Sequence, residues 1–384
     1  RLPFEHYLYS VVGGEMGTGW PLEALKAQAV SARTFALVQG MKYDIAHVSD
    51  TTYEQSYQGV GKEADDVIAA VDATKGEVIF DQNGQLITPF YSSNAGGMTA
   101  DASEVWDSEL DYVKSVPSPD DGPQQTLLMW DRVLLPSGKI GYIRTDFTEE
   151  TGEVTDGGLK VLKAVGTNVN VRPAPFVNNT INGPIAQVND GDRLVLLETR
   201  IESNNYQWIT IPYRSDVLKS VIESRAGITI DGPLMTLEVS QRGPSARVTE
   251  MKANGETIEV SSPDAYRSVL NNLKSTRFEV EESARFTVLG AEGVTREWPS
   301  GEDPYVISAD EQVVFDDKML VLNPGNGARL ITREPTFTFI GTGFGHGVGM
   351  SQWGARGLAE FMEYDYKQIL QYYYNNITIQ KGTE

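Results

Sequence analysis

An alanine-rich stretch near the start of the chain constrains the fold more than any other feature. After Pro21 the sequence runs LEALKAQAVSARTFALVQ and then reaches Gly40, a pattern that predicts a helix to about Gln39. Its apolar stripe has helical spacing and consists of Leu25, Ala29, Ala32 and Ala36. Because such small side chains let neighbouring elements approach closely, we expect this helix to be central and buried.

A lone glutamate precedes this helix. Residues 3–13 have the apolar spacing of an earlier helix, which we expect Gly13 and Gly14 to end. Glu15 would then stand at a glycine-rich break between two helices, where a carboxylate packs poorly but can be aimed into a cleft. The alternative is that Glu15 is a surface residue near a helix end, and the residues alone leave both interpretations open.

Composition removes several classes of function. The chain of 384 residues has 53 acidic and 32 basic side chains and a formal net charge of −21, which argues against binding of nucleic acid. It has no cysteine, which excludes disulfides, cysteine-ligated zinc and thiol nucleophiles. No apolar run of membrane-spanning length occurs, and we predict neither a metal nor a cofactor. The chain starts at Arg1 without a signal-peptide pattern, so we expect a trimmed or mature form that lacks its targeting segment.

The residue pattern in the middle of the chain differs from the pattern at both ends. The segment SVPSPDDGPQQ is followed by short alternating strands separated by turn residues, which predict a small all-β barrel. WDRVLLPSGKIGYI and NVNVRPAP resemble the closing strands and the opening segment of bacterial SH3-like domains, here in reversed order. We therefore predict an α+β main domain built from residues 1–121 and 207–384, interrupted by a permuted or split SH3-like barrel at 122–206. Trp208 is an alternative for the usual tryptophan of such a barrel, which would move the boundary later.

Two glycine-rich loops lie far apart in the sequence. GEVIFDQNGQLITPFYSS predicts a β-hairpin around Asn83-Gly84, and the glycine loop NAGGMT follows it. Near the other end, GTGFGHGVGMSQWGA leads into a predicted helix from Ser351, its N-cap, to about Met362. A further helix is predicted from about residue 366 to 374. No lysine follows the second loop as a phosphate-binding loop requires, so we reject that interpretation.

Three separated segments resemble, in the same order, the family of stage II sporulation protein D (SpoIID) and the amidase enhancer LytB. They are EMGTGWPLEALKAQAVSARTFAL, TTYEQSYQG…ATKGEVIF…PFYSSNAGGMT and GFGHGVGMSQWGARGLAE…DYKQILQYYY. The resemblance implies an extracytoplasmic lytic transglycosylase that cleaves the MurNAc–GlcNAc bond of peptidoglycan, preferably in denuded strands, and leaves 1,6-anhydro-MurNAc ends. The LytB branch implies instead a non-catalytic enhancer of an N-acetylmuramoyl-L-alanine amidase. The implied partners are peptidoglycan glycan strands, and another cell-wall hydrolase or a sporulation protein.

The resemblance also implies that Glu15 is the catalytic residue. Cleavage of a glycosidic bond needs a proton donor for the leaving oxygen. A lytic transglycosylase needs no second carboxylate, because the 6-hydroxyl of the sugar itself attacks the anomeric carbon. Arg33, on the second helix, is expected to orient Glu15 or a sugar substituent, and the alternative is a salt-bridged structural arginine.

The expected substrate-binding residues lie in the two glycine-rich loops. They are Tyr91, Ser92, Ser93, Asn94, Gly96 and Gly97 in the first loop and His346, Ser351, Gln352 and Trp353 in the second. Hydroxyl, amide and imidazole groups suit hydrogen bonding to saccharides, and the indole of Trp353 can stack on a sugar ring. The alternative is that each loop is only a turn that leads into a packed element.

Overall fold

A computed structural model of the chain describes residues 2–40, 42–43, 48–49, 54–106, 108–120, 128–289, 295–298, 305–307, 312–314, 318–323, 327–332 and 334–382. Helices and strands both occur, in agreement with the predicted mixture of α and β structure. The helices are α1 (Phe4–Glu15), α2 (Leu22–Gln39), α3 (Asp65–Ala73), α4 (Ser103–Trp106), α5 (Ser215–Ala226), α6 (Ala265–Val269), α7 (Gln352–Phe361) and α8 (Tyr366–Tyr373). In the part of the chain that the structure describes, none of the helices has the length and apolar character to cross a bilayer.

The strands are distributed over several small sheets. They are β1 (Glu77–Phe80), β2 (Tyr91–Ser92), β3 (Met129–Leu134), β4 (Ile140–Arg144), β5 (Thr148–Val154), β6 (Lys160–Ala164), β7 (Val169–Val171), β8 (Ala186–Val188), β9 (Arg193–Ile201), β10 (Gln207–Ile209), β11 (Tyr213–Arg214), β12 (Leu237–Arg242), β13 (Val248–Ala253), β14 (Glu256–Thr257), β15 (Phe278–Glu282), β16 (Phe286–Leu289), β17 (Thr295–Trp298), β18 (Tyr305–Ile307), β19 (Gln312–Val314), β20 (Lys318–Asn323), β21 (Gly327–Thr332), β22 (Thr336–Thr342), β23 (Met350–Ser351) and β24 (Thr378–Lys381). Short 3₁₀ helices occur at Val60–Lys62 and Thr145–Phe147.

Helix α2 is the centre of the first hydrophobic core, as its alanine stripe predicts. Leu25, Ala29 and Ala32 are completely buried. The helix packs against α1, α3, α7, α8 and β1, which surround it on several sides. Gly40 ends the helix with a φ of 56°, a conformation that glycine adopts without strain. The prediction of a central, buried helix is confirmed.

The two ends of the chain fold together around this helix. Strand β1 pairs antiparallel with β24 near the C-terminus, and β2 pairs in parallel with β23. The predicted hairpin around Asn83-Gly84 is only partly formed, and β24 pairs with β1 along its whole length. The two arms of that hairpin share a single bridge, between Phe80 and Leu86.

A second hydrophobic core lies between Trp208 and Phe339. The predicted C-terminal part, residues 207–384, is thus divided between two cores, since residues 348–377 pack in the first one. Trp208 is 3% exposed in the second core, so it is not a tryptophan of the middle sheet. Helix α5 also belongs here and was not predicted.

The middle of the chain forms a third core beneath a five-stranded sheet with the order β4-β3-β9-β6-β5. Strands β7 and β8 form a separate ribbon, which a bridge between Tyr142 and Arg172 joins to β4. Within residues 128–289, the two edge strands β4 and β5 do not pair with each other, so the sheet is open. A closed SH3-like barrel and its boundaries at 122–206 stay predictions.

Candidate active site

Helix α1 carries Glu15 as its last residue. The helix continues through Gly13 and Gly14, so the prediction that these glycines end it is wrong. Both glycines serve close packing: a Cβ atom on Gly13 would lie 2.1 Å from the carbonyl oxygen of Lys62, and one on Gly14 would lie 2.8 Å from that of Ser56. The glycines therefore let residues 56–62 lie directly against α1, beside Glu15.

Two donors from distant segments hold the carboxylate of Glu15. The backbone N–H of Ser56 donates to Oε1 over 2.8 Å, and Nε2 of Gln352 donates to Oε2 over 3.0 Å. Gln352 is the first residue of α7 and follows Glu15 by 337 residues. Glu15 is half-buried and fixed at both oxygens, so the surface alternative is wrong.

Burial raises the pKa of Glu15 above its ordinary value of 4.5, and the hydrogen bonds from Ser56 and Gln352 oppose this shift without cancelling it. The position at the C-terminal end of α1 acts in the same direction as burial, because the negative end of the helix dipole disfavours an anion. Glu15 is therefore easier to protonate than a surface glutamate, which is what a proton donor at neutral pH requires.

A chain of hydrogen bonds lies next to this carboxylate. The hydroxyl of Tyr7 donates to Oε1 of Gln55 over 3.0 Å, and Nε2 of Gln55 donates to the hydroxyl of Tyr91 over 3.0 Å. Burial, followed by the charge of Glu15, raises the pKa of Tyr91. Burial, followed by the charges of Glu54 and Glu15, raises the pKa of Tyr7. Both phenols stay neutral at physiological pH, and Tyr91 lies close enough to respond to the charge of Glu15.

Arg33 does not contact Glu15. Its side chain is 1% exposed and forms an ion pair with Glu5, with 2.8 Å between Nη2 and Oε2 and 3.1 Å between Nε and Oε1. Its remaining hydrogen bonds go to the carbonyl oxygens of Val71 and Glu77. A buried guanidinium needs a compensating charge and acceptors, and Glu5 faces it from the first turn of α1. The prediction that Arg33 orients Glu15 is wrong, and the structural alternative is confirmed.

Ser351 caps the helix that begins with Gln352. Its Oγ accepts a hydrogen bond from the N–H of Gly354 over 3.2 Å and donates to Oδ1 of Asp120. Oδ2 of Asp120 accepts from the N–H of Gly97 over 2.7 Å. Ser351 is completely buried, so its hydroxyl fixes the start of α7 and is not free for a substrate. Burial raises the pKa of Asp120, and these hydrogen bonds oppose the shift.

Trp353 belongs to an aromatic cluster that also contains Trp20 and Tyr206. Its ring centroid lies 5.0 Å from that of Trp20 and 5.2 Å from that of Tyr206, and its Nε1 donates to the Tyr206 hydroxyl over 2.7 Å. The guanidinium of Arg356 lies 5.2 Å from the centroid of Trp353. The three rings are half-buried. Trp353 directly follows Gln352, the residue that donates to Glu15.

Comparison with known proteins shows which family the chain resembles. Residues 1–80 match the SpoIID family, described as stage II sporulation protein. The chain is 28% identical over 372 residues to the amidase enhancer of Bacillus subtilis (strain 168), which covers 97% of this chain and 40% of that protein. It is 28% identical over 231 residues to stage II sporulation protein D of the same organism, which covers 54% of this chain and 61% of that protein. A third relative, stage II sporulation protein D of Bacillus amyloliquefaciens, is 33% identical over 137 residues, 31% of this chain and 39% of that protein.

The chain is similar to the SpoIID/LytB family. It spans between 39% and 61% of the length of these three relatives. The resemblance that the three sequence segments indicated is thereby confirmed.

The first glycine-rich loop contacts the second hydrophobic core. Arg247 donates to the carbonyl oxygens of Ala95 and Met98, and Arg277 donates to that of Gly96. Gly96 has a φ of 72°, and a Cβ atom there would lie 2.7 Å from Oγ1 of Thr342. The glycine loop is therefore a packed contact between the two cores.

The polar residues of this loop are mostly used inside the protein. Asn94 accepts from the N–H of Gly96 over 2.8 Å and donates to the carbonyl oxygen of Asp120 over 3.3 Å. Ser92 is 7% exposed, and the carbonyl oxygen of Ser93 accepts from the N–H of Trp353 over 3.1 Å. The structure thus gives Ser92, Asn94, Gly96 and Gly97 internal roles that differ from the predicted wall of a substrate groove.

His346 lies in the second glycine-rich loop, against aromatic rings. Its ring lies 5.0 Å from that of Trp106, and its Nδ1 accepts from the N–H of Val348 over 3.0 Å. Burial, together with the positive charges of Arg267 and Arg247, lowers the pKa of His346 to about 3, and a hydrogen bond to the backbone of Tyr91 opposes this shift. The imidazole is neutral at physiological pH and joins the second glycine-rich loop to the backbone of Tyr91.

Sequence reasoning missed three residues of this region. Asp120 was read as part of a linker because proline, aspartate and glycine surround it, and Trp20 was passed over as part of the glycine-rich turn before α2. Tyr206 follows the middle sheet, far from every motif. Among the described residues, no group of three or more histidine, aspartate or glutamate side chains is arranged to hold a metal ion.

Proposed function

We propose that this chain is a peptidoglycan lytic transglycosylase that cleaves the MurNAc–GlcNAc bond and leaves 1,6-anhydro-MurNAc ends. Its substrates would be glycan strands, preferably those stripped of stem peptides, outside the cytoplasm. Similarity to the SpoIID/LytB family supports a role at the cell wall, and the match to stage II sporulation protein D supports a link to sporulation.

The observation that carries the proposal is the setting of Glu15. Its carboxyl group is half-buried, lies at the negative end of α1 and receives two hydrogen bonds. Both partners are N–H donors, and neither can take up a proton. Since both hydrogen bonds come from donors, neither of them occupies the proton of the neutral carboxyl group, which can be given to a substrate oxygen.

The chemistry needs this single acid. Glu15 gives its proton to the glycosidic oxygen while the bond from that oxygen to the anomeric carbon breaks. The 6-hydroxyl of the same sugar then attacks the anomeric carbon, which closes the anhydro ring, and the proton of that hydroxyl passes to Glu15. The carboxyl group ends in the state in which it began, and no water is consumed.

The aromatic cluster of Trp20, Trp353 and Tyr206 supports a glycan as the ligand. Aromatic rings offer flat apolar faces that suit sugar rings, and the half-buried Trp353 directly follows Gln352, the donor to Glu15. Tyr91 and Ser93 of the predicted binding set adjoin the same region through Gln55 and Trp353. We propose that Trp353, rather than the buried residues of the glycine loops, binds the sugar.

A non-catalytic, LytB-like role is the second candidate. The alignment with the amidase enhancer extends over 97% of this chain, farther than the alignment with stage II sporulation protein D. In that case the protein would bind the wall and stimulate an N-acetylmuramoyl-L-alanine amidase, and the rigid setting of Glu15 would serve binding.

Product analysis on denuded glycan strands tests the proposal. We expect the wild-type protein to release fragments with 1,6-anhydro ends, and Glu15→Gln to reduce the rate by about 10² to 10⁴. The exposed Glu256 supplies the matched control, because Glu256→Gln makes the same chemical change far from the site. Reducing ends would identify a hydrolase. Absence of cleavage, together with stimulation of an amidase by wild type and Glu15→Gln alike, would support the enhancer.

A further inference from the structure

We propose that Gln352 is a positioning residue for Glu15, whose amide holds the carboxyl group and adjusts how readily it gives and regains its proton. Its Nε2 donates to Oε2 of Glu15 over 3.0 Å. This assignment replaces the expectation that Gln352 binds substrate. The expected effect of Gln352 on catalysis rests on the proposed function. The expected effect on stability does not depend on any activity.

The surroundings of Gln352 make it a rigid support. It is 4% exposed and opens α7, next to the buried N-cap Ser351. The hydroxyl of Ser351 is fixed by Asp120, and the N–H of Trp353 donates to the carbonyl oxygen of Ser93 over 3.1 Å. The first turn of α7 is therefore anchored on both sides of Gln352. A side chain held in this way can define the plane of a neighbouring carboxyl group.

The amide offsets two influences that favour the neutral acid. Burial and the C-terminal end of α1 both disfavour the anion of Glu15. The donors from Gln352 and Ser56 favour it. A group that donates and then accepts a proton in one catalytic cycle works best when neither form is strongly preferred. Gln352 supplies the part of this balance that a substitution can remove, because Ser56 acts through its backbone.

The other ionisable groups around Glu15 do not provide this balance. Tyr7 on α1 and Tyr91 on β2 interact electrostatically with Glu15, and the raised pKa of each keeps it neutral. On α7, the guanidinium of Arg356 is hydrogen-bonded to Glu360. In the segment that contains Ser56, Glu54 forms an ion pair with Lys42.

The test compares Gln352→Leu, which removes the donor at similar volume, with the isosteric Gln352→Glu. Gln371→Leu, at an exposed position on α8, is the matched control. The first measurement is stability against pH. Without the amide, neutral Glu15 should be favoured further, so the destabilisation by Gln352→Leu should grow as the pH rises above about 5. The increase of the destabilisation with pH should be absent when Glu15→Gln is also present. Gln371→Leu should show no such increase.

The second measurement is the pH profile of glycan cleavage. We expect the alkaline limb to move upward by about one pH unit or more in Gln352→Leu, and in the same direction in Gln352→Glu, whose second carboxyl group disfavours ionisation of the first. An equal loss at every pH, with no pH-dependent coupling to Glu15, would overturn the inference. If wild type cleaves no glycan but the coupling in stability is present, the proposed transglycosylase fails and the role of Gln352 stands.

Discussion

Arg33 on α2 and Glu5 on α1 form an ion pair with 2.8 Å between Nη2 and Oε2, and the side chain of the arginine is almost completely buried. Two more hydrogen bonds join the same guanidinium to the carbonyl oxygens of Val71 at the end of α3 and Glu77 at the start of β1. One arginine thus connects four elements of the first core, and its role is to hold them together.

This relationship predicts a large loss of stability in Arg33→Met. Removal of the guanidinium leaves the carboxylate of Glu5 without its partner and takes one hydrogen bond from each of the carbonyl groups of Val71 and Glu77, so we expect a loss of about 3–5 kcal/mol. Denaturant unfolding measures it. The double variant Glu5→Leu/Arg33→Met should recover part of the loss, because no charge is then stranded. A change below about 1 kcal/mol in Arg33→Met would contradict the structural role.

The raised pKa of Glu15 predicts a specific dependence of stability on pH. Between the unfolded value of 4.5 and the higher folded value, the folded protein binds more protons than the unfolded chain, so stability falls as the pH rises through this window. Each unit by which folding raises the pKa contributes about 1.4 kcal/mol. We expect Glu15→Gln to gain stability relative to wild type as the pH increases, and the difference to disappear below pH 4. Parallel profiles at every pH would contradict a raised pKa.

The close packing at Gly13 predicts that even one methyl group is harmful there. In Gly13→Ala the new Cβ atom would meet the carbonyl oxygen of Lys62 at 2.1 Å, and a backbone oxygen cannot move away alone. We expect a loss of about 1–3 kcal/mol from overpacking, and displacement of residues 56–62 from Glu15. Gly61→Ala is the control, because nothing lies within 4 Å of its added Cβ atom. Thermal unfolding distinguishes the two variants, and equal melting temperatures would argue against the packing.

The buried carboxylate of Asp120 predicts a link between the first glycine-rich loop and α7. It accepts hydrogen bonds from Gly97, Ser118 and Ser351. Both carboxylate oxygens of Asp120 accept hydrogen bonds, so in Asp120→Asn the NH₂ group would face a donor in place of an acceptor. We expect a loss of about 2 kcal/mol or more in the free energy of unfolding. Asp111→Asn, at an exposed position, should change stability by less than about 0.5 kcal/mol. Hydrogen exchange should show faster exchange at the start of α7 in Asp120→Asn, and unchanged exchange there would contradict the link.

Several elements followed directly from local patterns. The boundaries of α2 agree with its proline start and glycine end, and α7 and α8 agree with their predicted ranges to within a residue at each start. Helix α5 had comparable signals, since Leu218 and Ile222 share one face and Gly227 follows with a φ of 68°. It was missed because the alternating strands on either side suggested continuous β structure.

The errors arose where a residue's role depends on what packs against it. The sequence pattern predicts that Gly13 and Gly14 end the helix. In the structure the backbone of another segment packs against this helix, and the missing side chains of the two glycines leave room for it. This packing outweighs the weak helix propensity of glycine. Arg33 was read as a partner of Glu15, although the partner that faces it lies at the other end of α1. The polar and glycine residues of the loop at 92–97 looked free for a ligand, and two arginines from the second core occupy that loop.

The sequence by itself determined the resemblance to a family, the central helix, and Glu15 as the carboxylate of interest, because these depend on local spacing and on residue types in order. Only the tertiary structure decided which groups touch Glu15. Ser56 and Gln352 come from segments that approach it through the pairing of chain ends and through glycine packing. Burial and hydrogen-bond donors set the chemistry of a carboxyl group, and both are properties of contacts between segments distant in sequence.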